Sequence, residues 1–304
     1  MRPQTEREIL HVPREAAGER LDRFLAAALA VKVEQARTLV SQGRIRIRGR
    51  TCSPHRKLFG GEVVEVARPV PRAPTPAPDE PALPVLYDDG DCLVVDKPPG
   101  LAVEPARPGA RSAVGAASRL GRFDVAGRAL PGLPHRLDRD TSGCLLLARH
   151  DRALAALRAA FEAGLVEKTY LALVAGAPPE TGRLDTPYGR DPADPRRFTT
   201  RVASARRARL EFALRERLRG GALLEVRLDT GRTHQIRVQL AEAGFPVLGD
   251  AIYGTPGAGL TRQALHASRL AFPAPSGAAV SVEAALPDDL ARALLALRRS
   301  APDG

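Results

Sequence analysis

The chain has 304 residues, 44% of them hydrophobic, which is ample material for the core of a large domain and a smaller one. Its formal net charge of +11 favours a polyanionic partner such as nucleic acid, although a genome rich in arginine codons would also raise the charge. The three cysteines are widely separated and have no metal-binding spacing, which argues against a metal site. No apolar run comes near the roughly 18 residues of a membrane span, which argues against a membrane protein.

The N-terminal quarter of the chain predicts a small, basic unit. Residues 1–72 hold 15 Lys and Arg side chains against 8 Asp and Glu, which is most of the positive excess. The start, MRPQTEREIL, is charged and lacks an apolar signal-peptide core, so we expect a cytoplasmic protein. Apolar residues at helical spacing predict a helix over 21–29, and a second short helix fits Glu34 to Ser41, ending at Gly43.

The segment RIRIRG, which follows these helices, predicts a strand with an arginine face. Because side chains alternate along a strand, Arg44, Arg46 and Arg48 fall on one face and two isoleucines on the other. Three adjacent guanidinium groups repel one another unless an anion lies across them. This favours RNA binding, with Lys32 and Arg37 as further contacts. A solvated edge strand, whose arginines prevent aggregation, is the alternative.

The same unit resembles the S-four-like RNA-binding module, which is named after a small-subunit ribosomal protein. The resemblance is carried by ERLDRFLAAAL, ARTLVSQGRIRIRGR and GGEVVEV. It implies a small α/β domain that binds RNA. The chain departs from the family by placing Arg48 where Asn usually precedes Gly49.

A Pro-rich segment separates this unit from the rest of the chain. PVPRAPTPAPDEPALP, residues 69–84, holds seven prolines in sixteen positions, which is typical of an extended, semi-rigid linker. The sequence therefore predicts three parts: an S-four-like RNA-binding domain over 1–68, a linker over 69–84 and a large domain over 85–304.

The large domain has the pattern of an α+β fold with a mainly antiparallel sheet. LYDDGDCLVV predicts a hairpin with the turn DDGD, and four further segments favour strands: GCLLLARH, EKTYLALVAG, ARLEFALRER and ALLEVRLDTGRTHQIRVQL. ALAALRAAFEAG predicts a helix that ends at Gly164, and PDDLARALLALRR predicts a C-terminal helix. We expect Thr141 to Gly143 to form the turn that leads into the apolar strand CLLLA.

Polar residues from three segments of this domain could form one reactive pocket. No HExxH, GxxxxGK[ST] or strand-linked GxGxxG motif is present, and HRLD at 135–138 lacks the other motifs of a kinase. An ionised Asp can act as a nucleophile when a nearby Arg stabilises it. A pocket that combines Asp, Arg and Tyr needs neither a metal nor a cofactor. The candidates are Arg136, Asp138, Lys168, Tyr170, Arg232, His234 and Arg237.

Six blocks of the large domain resemble the RluA-type RNA pseudouridine synthases, in that family's order. They are VVDKPPGLAV, PGLPHRLDRDTSGCLLLAR, KTYLALVAG, DTGRTHQIRVQL, GFPVLGDAIYG and LHASRLAF, and they span nearly all of residues 83–275. The resemblance implies a pseudouridine synthase fold with a bent, mainly antiparallel mixed sheet and a central cleft. It also implies an isomerase that acts on RNA without a cofactor.

The resemblance implies a role for individual residues as well. Asp138 matches the family's catalytic aspartate, and Arg136 matches an arginine that helps to displace the flipped nucleotide. Tyr170 matches the active-site tyrosine, which stacks on the base. Arg237 matches the arginine that pairs with the catalytic carboxylate, while Arg232 is a weaker candidate for that pairing and could bind phosphate instead.

The implied reaction is the conversion of uridine to pseudouridine in a structured RNA. Large-subunit (23S) ribosomal RNA is favoured, because an appended basic module suits a bulky folded RNA. Transfer RNA, and a non-catalytic RNA-binding or ribosome-assembly role, are the alternatives. We expect a monomer. The chain departs from the family at Glu104, where His is usual, and at Gln239, where His is common.

Overall fold

The computed structural model describes residues 5–29, 31, 33–69, 80–107, 109–257 and 259–299. Lys32 and most of the Pro-rich linker lie outside these residues. Within this part of the chain, no helix combines the length and the apolar character that crossing a membrane requires.

Residues 5–69 form a four-stranded antiparallel sheet packed against two helices, with the strand order β1–β4–β2–β3. The elements are β1 (Thr5–His11), a 3-10 turn (Arg14–Ala16), α1 (Leu21–Ala28), α2 (Val33–Ser41), β2 (Ile45–Ile47), β3 (Arg50–Thr51) and β4 (Val63–Pro69). Leu21 and Leu25 of α1 pack with Ile45 and Ile47 of β2 in one core. Arg46 lies exposed between these two isoleucines, as strand alternation requires.

The arginine segment is shorter as a strand than the sequence predicts. Arg44 precedes β2, and Arg48 follows it in the two-residue loop that joins β2 to β3. Arg48 and Gly49 both have positive φ, at 51° and 73°, which matches the right-handed twist of a tight hairpin. The prediction that all three arginines lie on one strand face is therefore wrong, because only Arg46 belongs to the strand.

Residues 85–299 build a nine-stranded mixed sheet with four helices, together with a separate two-stranded hairpin. The strand order is β5–β6–β7–β14–β8–β13–β12–β9, with β15 paired to β14. The elements are β5 (Val85–Asp88), β6 (Cys92–Lys97), α3 (Ala113–Ala117), β7 (Ser142–Ala148), α4 (Asp151–Glu162), β8 (Glu167–Ala175), β9 (Thr181–Pro187), β10 (Gly189–Arg190), β11 (Phe198–Thr199), β12 (Arg207–Leu218), β13 (Gly221–Leu228), α5 (Gln235–Glu242), β14 (Leu265–Pro273), β15 (Ala279–Glu283) and α6 (Asp288–Arg299). Among the paired strands of this sheet, only β7 and β14 run parallel, so the α+β, mainly antiparallel prediction is confirmed.

Strand β7 is buried on both faces, which explains its continuous apolar run. Leu145 and Leu147 point into the main core of the sheet, whereas Cys144 and Leu146 point into a second core that α4 covers with Leu157. A strand buried on both sides cannot show polar alternation. It is a rigid support for the polar loop that precedes it.

The prediction of a strand through HQIRVQL is wrong. Residues Gln235–Glu242 form helix α5, and every side chain from 235 to 240 is buried. A helix buried on all sides lacks the polar face that reveals helical periodicity in a sequence. The alternating Ile236, Val238 and Leu240 therefore imitate a strand.

The turn before β7 also lies earlier than the sequence predicts. The amide of Thr141 donates to the carbonyl oxygen of Asp138 at 3.2 Å, and Ser142 and Gly143 already belong to β7. Gly143 has φ +109°, and a Cβ there would lie 2.2 Å from the carbonyl oxygen of Ala267. Glycine thus permits the close parallel approach of β14, which fixes the end of the turn.

Candidate active site

A buried lysine fixes the loop that carries Asp138. Lys97 ends β6 and is fully buried. Its ammonium donates to the carbonyl oxygens of Pro98 and Leu101, at 2.8 and 2.9 Å, and to that of Arg139, at 2.9 Å. Burial lowers the pKa of Lys97 to about 7. The lysine ties two neighbouring loops together through their backbones.

A buried arginine holds the other side of the same loop. Arg262, just before β14, donates from Nη1 to the carbonyl oxygen of Asp140 at 3.0 Å. Its Nε and Nη2 donate to both carboxylate oxygens of Asp289, at 2.6 and 2.9 Å, at the start of α6. The loop backbone is therefore anchored to the sheet and to the C-terminal helix.

The guanidinium of Arg237 bridges two carboxylates. Its Nη1 donates to Asp138 Oδ2 at 3.0 Å, and its Nε and Nη2 donate to Asp250 at 2.6 and 2.8 Å. Although burial opposes it, bonding to Asp250 and Asp138 raises the pKa of Arg237, so the guanidinium stays charged. The Asp138 side chain keeps 23% exposure against 5% for Arg237 and 0% for Asp250, which makes Asp138 the member that a substrate can reach.

Tyr170 on β8 lies in the main core beside this pair, with 7% exposure. Burial and, to a lesser extent, the negative charge of Asp138 raise its pKa, so its phenol stays protonated. Lys168, two residues earlier on β8, is half-buried, and burial lowers its pKa. Its ammonium lies 5.9 Å from the ring centroid of Phe161 on α4. The ring of His135, at the start of the Asp138 loop, stacks on the same phenylalanine.

His234 lies near the carboxylate oxygen of Asp138 that Arg237 does not bind. Its Nε2 lies 4.0 Å from Asp138 Oδ1, and its Nδ1 lies 3.1 Å from the hydroxyl of Tyr253. Burial lowers the pKa of His234, with the charge of Asp138 acting in the opposite direction. The neutral imidazole is therefore favoured.

Arg136 and Arg232 lie further out. Arg136 is exposed, and its Nη1 lies 3.9 Å from Glu104 Oε2, so the residue that departs from the family pattern faces this arginine. Arg232 is also exposed and donates from Nε to the carbonyl oxygen of Arg207 at 3.3 Å. The ion pair with the carboxylate of the loop belongs to Arg237 rather than to Arg232.

The second departure from the family pattern lies in the interior. Gln239 on α5 is buried, and its amide nitrogen donates to Thr186 Oγ1 at 2.9 Å and to the carbonyl oxygen of Ala208 at 3.0 Å. Its carbonyl oxygen accepts from the side chain of Gln235 at 3.1 Å. Gln239 thus joins α5 to β9 and β12, away from the surface of the cleft.

The N-terminal candidates differ in their surroundings. Arg46 is exposed on β2, and Arg48 is exposed in the following loop. Arg37 donates from Nε to the fully buried carboxylate of Asp22 at 2.8 Å, while about half of its side chain remains exposed. This bond gives Arg37 a structural task in addition to any contact with RNA. Lys32 lies outside the described residues.

Sequence reasoning assigned no role to Asp250 or Tyr253. Both lie in GDAIYG, a block with one acidic residue and no obvious partner in the local sequence. The contacts of this block with α5 depend on the fold of the loop between them, and the spacing of residues in the sequence does not reveal that fold. Among the described residues, no group of three or more His, Cys, Asp and Glu side chains could hold a metal ion.

Two family models match the chain. The model described as RNA pseudouridylate synthase matches residues 91–242, which include the Asp138 loop, Tyr170 and Arg237. The model described as the S4 domain matches residues 19–64.

Individual proteins show the same similarity. A Chloroflexus aurantiacus protein named as an uncharacterized RNA pseudouridine synthase is 40% identical over 294 residues, covering 94% of this chain and 92% of that protein. The ribosomal large subunit pseudouridine synthase D of Xanthomonas campestris is 38% identical, covering 94% of this chain and 91% of that protein. The solved structure of human RNA pseudouridylate synthase domain containing 4 has a TM-score of 0.57 at 25% identity, covering 70% of this chain and 92% of that chain.

Proposed function

This chain belongs to the RNA pseudouridylate synthase family, and from that premise we propose that it converts uridine to pseudouridine in large-subunit ribosomal RNA. It is an isomerase that acts on RNA. The relative from Xanthomonas campestris is named for the large ribosomal subunit, which supports this choice of RNA. The basic N-terminal unit supports an RNA substrate, because clustered arginines bind the phosphates of a folded RNA regardless of sequence.

The observation that carries the proposal is the partly exposed Asp138, held by the buried Arg237 beside the buried Tyr170. In the reaction, the bond between uracil N1 and the ribose breaks, the base rotates, and a bond from uracil C5 to the same ribose carbon replaces it. N1 gains a proton and C5 loses one. We assign the role of nucleophile to Asp138, which attacks the uridine and is released unchanged when the bond from C5 forms; its Oδ2 accepts a hydrogen bond from Arg237 at 3.0 Å.

Reaching the uridine requires its removal from the RNA stack. A base inside a helix is inaccessible, so enzymes that act on bases flip them into a pocket and stack them on an aromatic ring. We assign the stacking to Tyr170, whose phenol stays neutral, and the displacement of the nucleotide to the exposed Arg136. Lys168, Arg232 and His234 are the proposed further contacts around the cleft.

We further propose that the domains divide at 1–68, 69–84 and 85–304, with the first as the RNA-binding domain. The S4 domain match over residues 19–64 supports that assignment. Arg44, Arg46, Arg48, Lys32 and Arg37 are the proposed phosphate contacts. A monomer in the cytoplasm suffices for the proposed task, since all the assigned catalytic side chains come from one chain.

Tritium release tests this function directly. Large-subunit ribosomal RNA and total transfer RNA, both carrying tritium at uracil C5, are incubated separately with the full-length protein. Release from ribosomal RNA is the expected result, and release from transfer RNA alone would move the substrate to that class. Tight binding without release from either would instead indicate a non-catalytic RNA-binding protein.

Substitution of the nucleophile refines the same test. Asp138→Asn is nearly isosteric and should abolish release while RNA affinity stays nearly unchanged. Asp140→Asn is the matched control, since the side-chain hydrogen bonds of that neighbouring carboxylate go, among the described residues, to the exposed Arg139. Comparable turnover by the Asp138 variant would refute the assignment of the nucleophile.

A further inference from the structure

Tyr253 lies where several parts of the candidate site meet. Its hydroxyl accepts a hydrogen bond from the backbone N–H of Phe198 at 2.9 Å and lies 3.1 Å from His234 Nδ1. Its ring centroid lies 5.3 Å from Cζ of Arg237 and 5.1 Å from Cζ of Arg197. The side chain therefore contacts helix α5 and the short hairpin β10–β11 at once.

His234 is held in an unusual conformation next to Asp138. Its φ is +59°, in the left-handed region that side chains other than glycine seldom adopt, directly before α5. Its ring makes edge contacts with the rings of Phe198 and Tyr253, with centroids 5.9 and 5.6 Å apart. Backbone strain of this kind persists only where the surroundings over-determine it, and it concentrates at functional sites.

The hydrogen-bond partners determine which ring nitrogen of His234 carries the proton. A neutral imidazole has one N–H donor and one acceptor. Asp138 Oδ1, 4.0 Å from Nε2, can only accept, so a lone pair on Nε2 would face a negative charge. With the proton on Nε2, Nδ1 becomes the acceptor. The Tyr253 hydroxyl, which already accepts from Phe198, then donates its own hydrogen to Nδ1.

We propose that Tyr253 is a positioning residue for the nucleophile, which acts through His234 by keeping the Nε2 proton directed at Asp138. Arg237 donates to Oδ2 at 3.0 Å and His234 Nε2 lies 4.0 Å from Oδ1, so each oxygen of the carboxylate has one of these side chains near it. The inference rests on the proposed function, because it assigns a partner to the residue that attacks the uridine. The contact with Phe198 places the hydroxyl independently of the imidazole.

Tyr253→Phe removes the hydroxyl and keeps the ring beside both arginines. We expect kcat for tritium release from large-subunit ribosomal RNA to fall about tenfold, with KM for the RNA within about twofold of wild type, because the lost bond orients the nucleophile and does not bind RNA. Tyr87→Phe is the matched control. Tyr87 lies on β5, and its hydroxyl donates to Asp89 at 3.0 Å. Removing that hydroxyl should not change kcat.

A double variant separates positioning from general damage. His234→Asn, which retains a preference for the left-handed conformation, should lower kcat at least as much as Tyr253→Phe. Adding Tyr253→Phe to it should change kcat by less than about twofold, because the hydroxyl acts only through the imidazole. Multiplied losses, or wild-type kcat in Tyr253→Phe, would overturn the proposal. No release by the wild-type protein from either RNA would overturn the proposed function itself.

Discussion

The buried carboxylate of Asp250 should be the most sensitive position in the site apart from the reacting residues. Asp250→Asn keeps the size of the side chain. Its remaining oxygen can still accept from Arg237 Nη2 and from the backbone amides of Ile252 and Tyr253, at 2.8, 2.9 and 3.2 Å. The new amide group replaces Oδ2, which accepts from Arg237 Nε at 2.6 Å. Two N–H donors then face each other.

The size of the effect follows from burial. Removing one partner of a buried ion pair costs about 3–5 kcal/mol when the other charge is left alone. Here Arg237 retains Asp138 and one oxygen of residue 250, so we expect Asp250→Asn to lower the free energy of unfolding by about 2–3 kcal/mol, near the cost of one charge-assisted bond. We expect kcat for tritium release to fall about tenfold or more, since Arg237 loses the contact that directs its Nη1 at Asp138.

Urea unfolding followed by circular dichroism measures the stability, and the exposed pair of Arg298 and Glu216 supplies the control. That pair has the same two-bond geometry, at 2.7 and 2.6 Å, but its side chains are 47% and 31% exposed. Glu216→Gln should therefore cost less than about 1 kcal/mol. Equal losses in the two variants would refute the argument that burial makes the Asp250 carboxylate decisive.

Arg48→Asn should raise the free energy of unfolding by about 0.5–1 kcal/mol, because Asn tolerates the positive φ of the β2–β3 loop better than Arg does. If Arg48 binds a phosphate, the same variant lowers the slope of log affinity against log salt by about one, and an unchanged slope would show that it is only solvated. Lys97→Met tests whether burial lowers the pKa of Lys97. Between about pH 7 and 10.5 the unfolded chain holds a proton that folded Lys97 lacks, so the stability of wild type relative to this variant should rise with pH, by at most about 1.4 kcal/mol per unit. A difference that stays flat across that range would contradict the lowered pKa.

Local features of this fold could be predicted from the sequence because local physics decides them. The helix that ends at Gly164 is present as α4, Asp151–Glu162, followed by that glycine at φ +71°. The hairpin with the turn DDGD is present as β5 and β6, and Asp89 accepts from the amides of Asp91 and Cys92 within the turn. Turn chemistry and helix ends depend on a few neighbouring residues.

Features set by burial from distant segments could not be predicted in the same way. Helix α5 imitates a strand in sequence because the rest of the domain buries all of its sides. The contact between Arg237 and Asp250 depends on a loop that brings GDAIYG back onto α5. Residue chemistry placed Asp138, Tyr170 and Arg237 among the candidates, and the resemblance to a known family supplied their roles. The three-dimensional contacts added Asp250 and Tyr253.

The dense charge of HRLDRDTSG in front of an apolar strand has a physical explanation in these contacts. Two buried basic side chains act on the backbone of the loop: Lys97 binds the carbonyl oxygen of Arg139, and Arg262 binds that of Asp140. Those bonds hold the loop without using the side chain of Asp138, whose carboxylate pairs with Arg237 and lies near His234. Because the backbone is held separately, the carboxylate can react without releasing the loop. A site built in this way needs a rigid strand behind it, and β7, buried on both faces, provides that support.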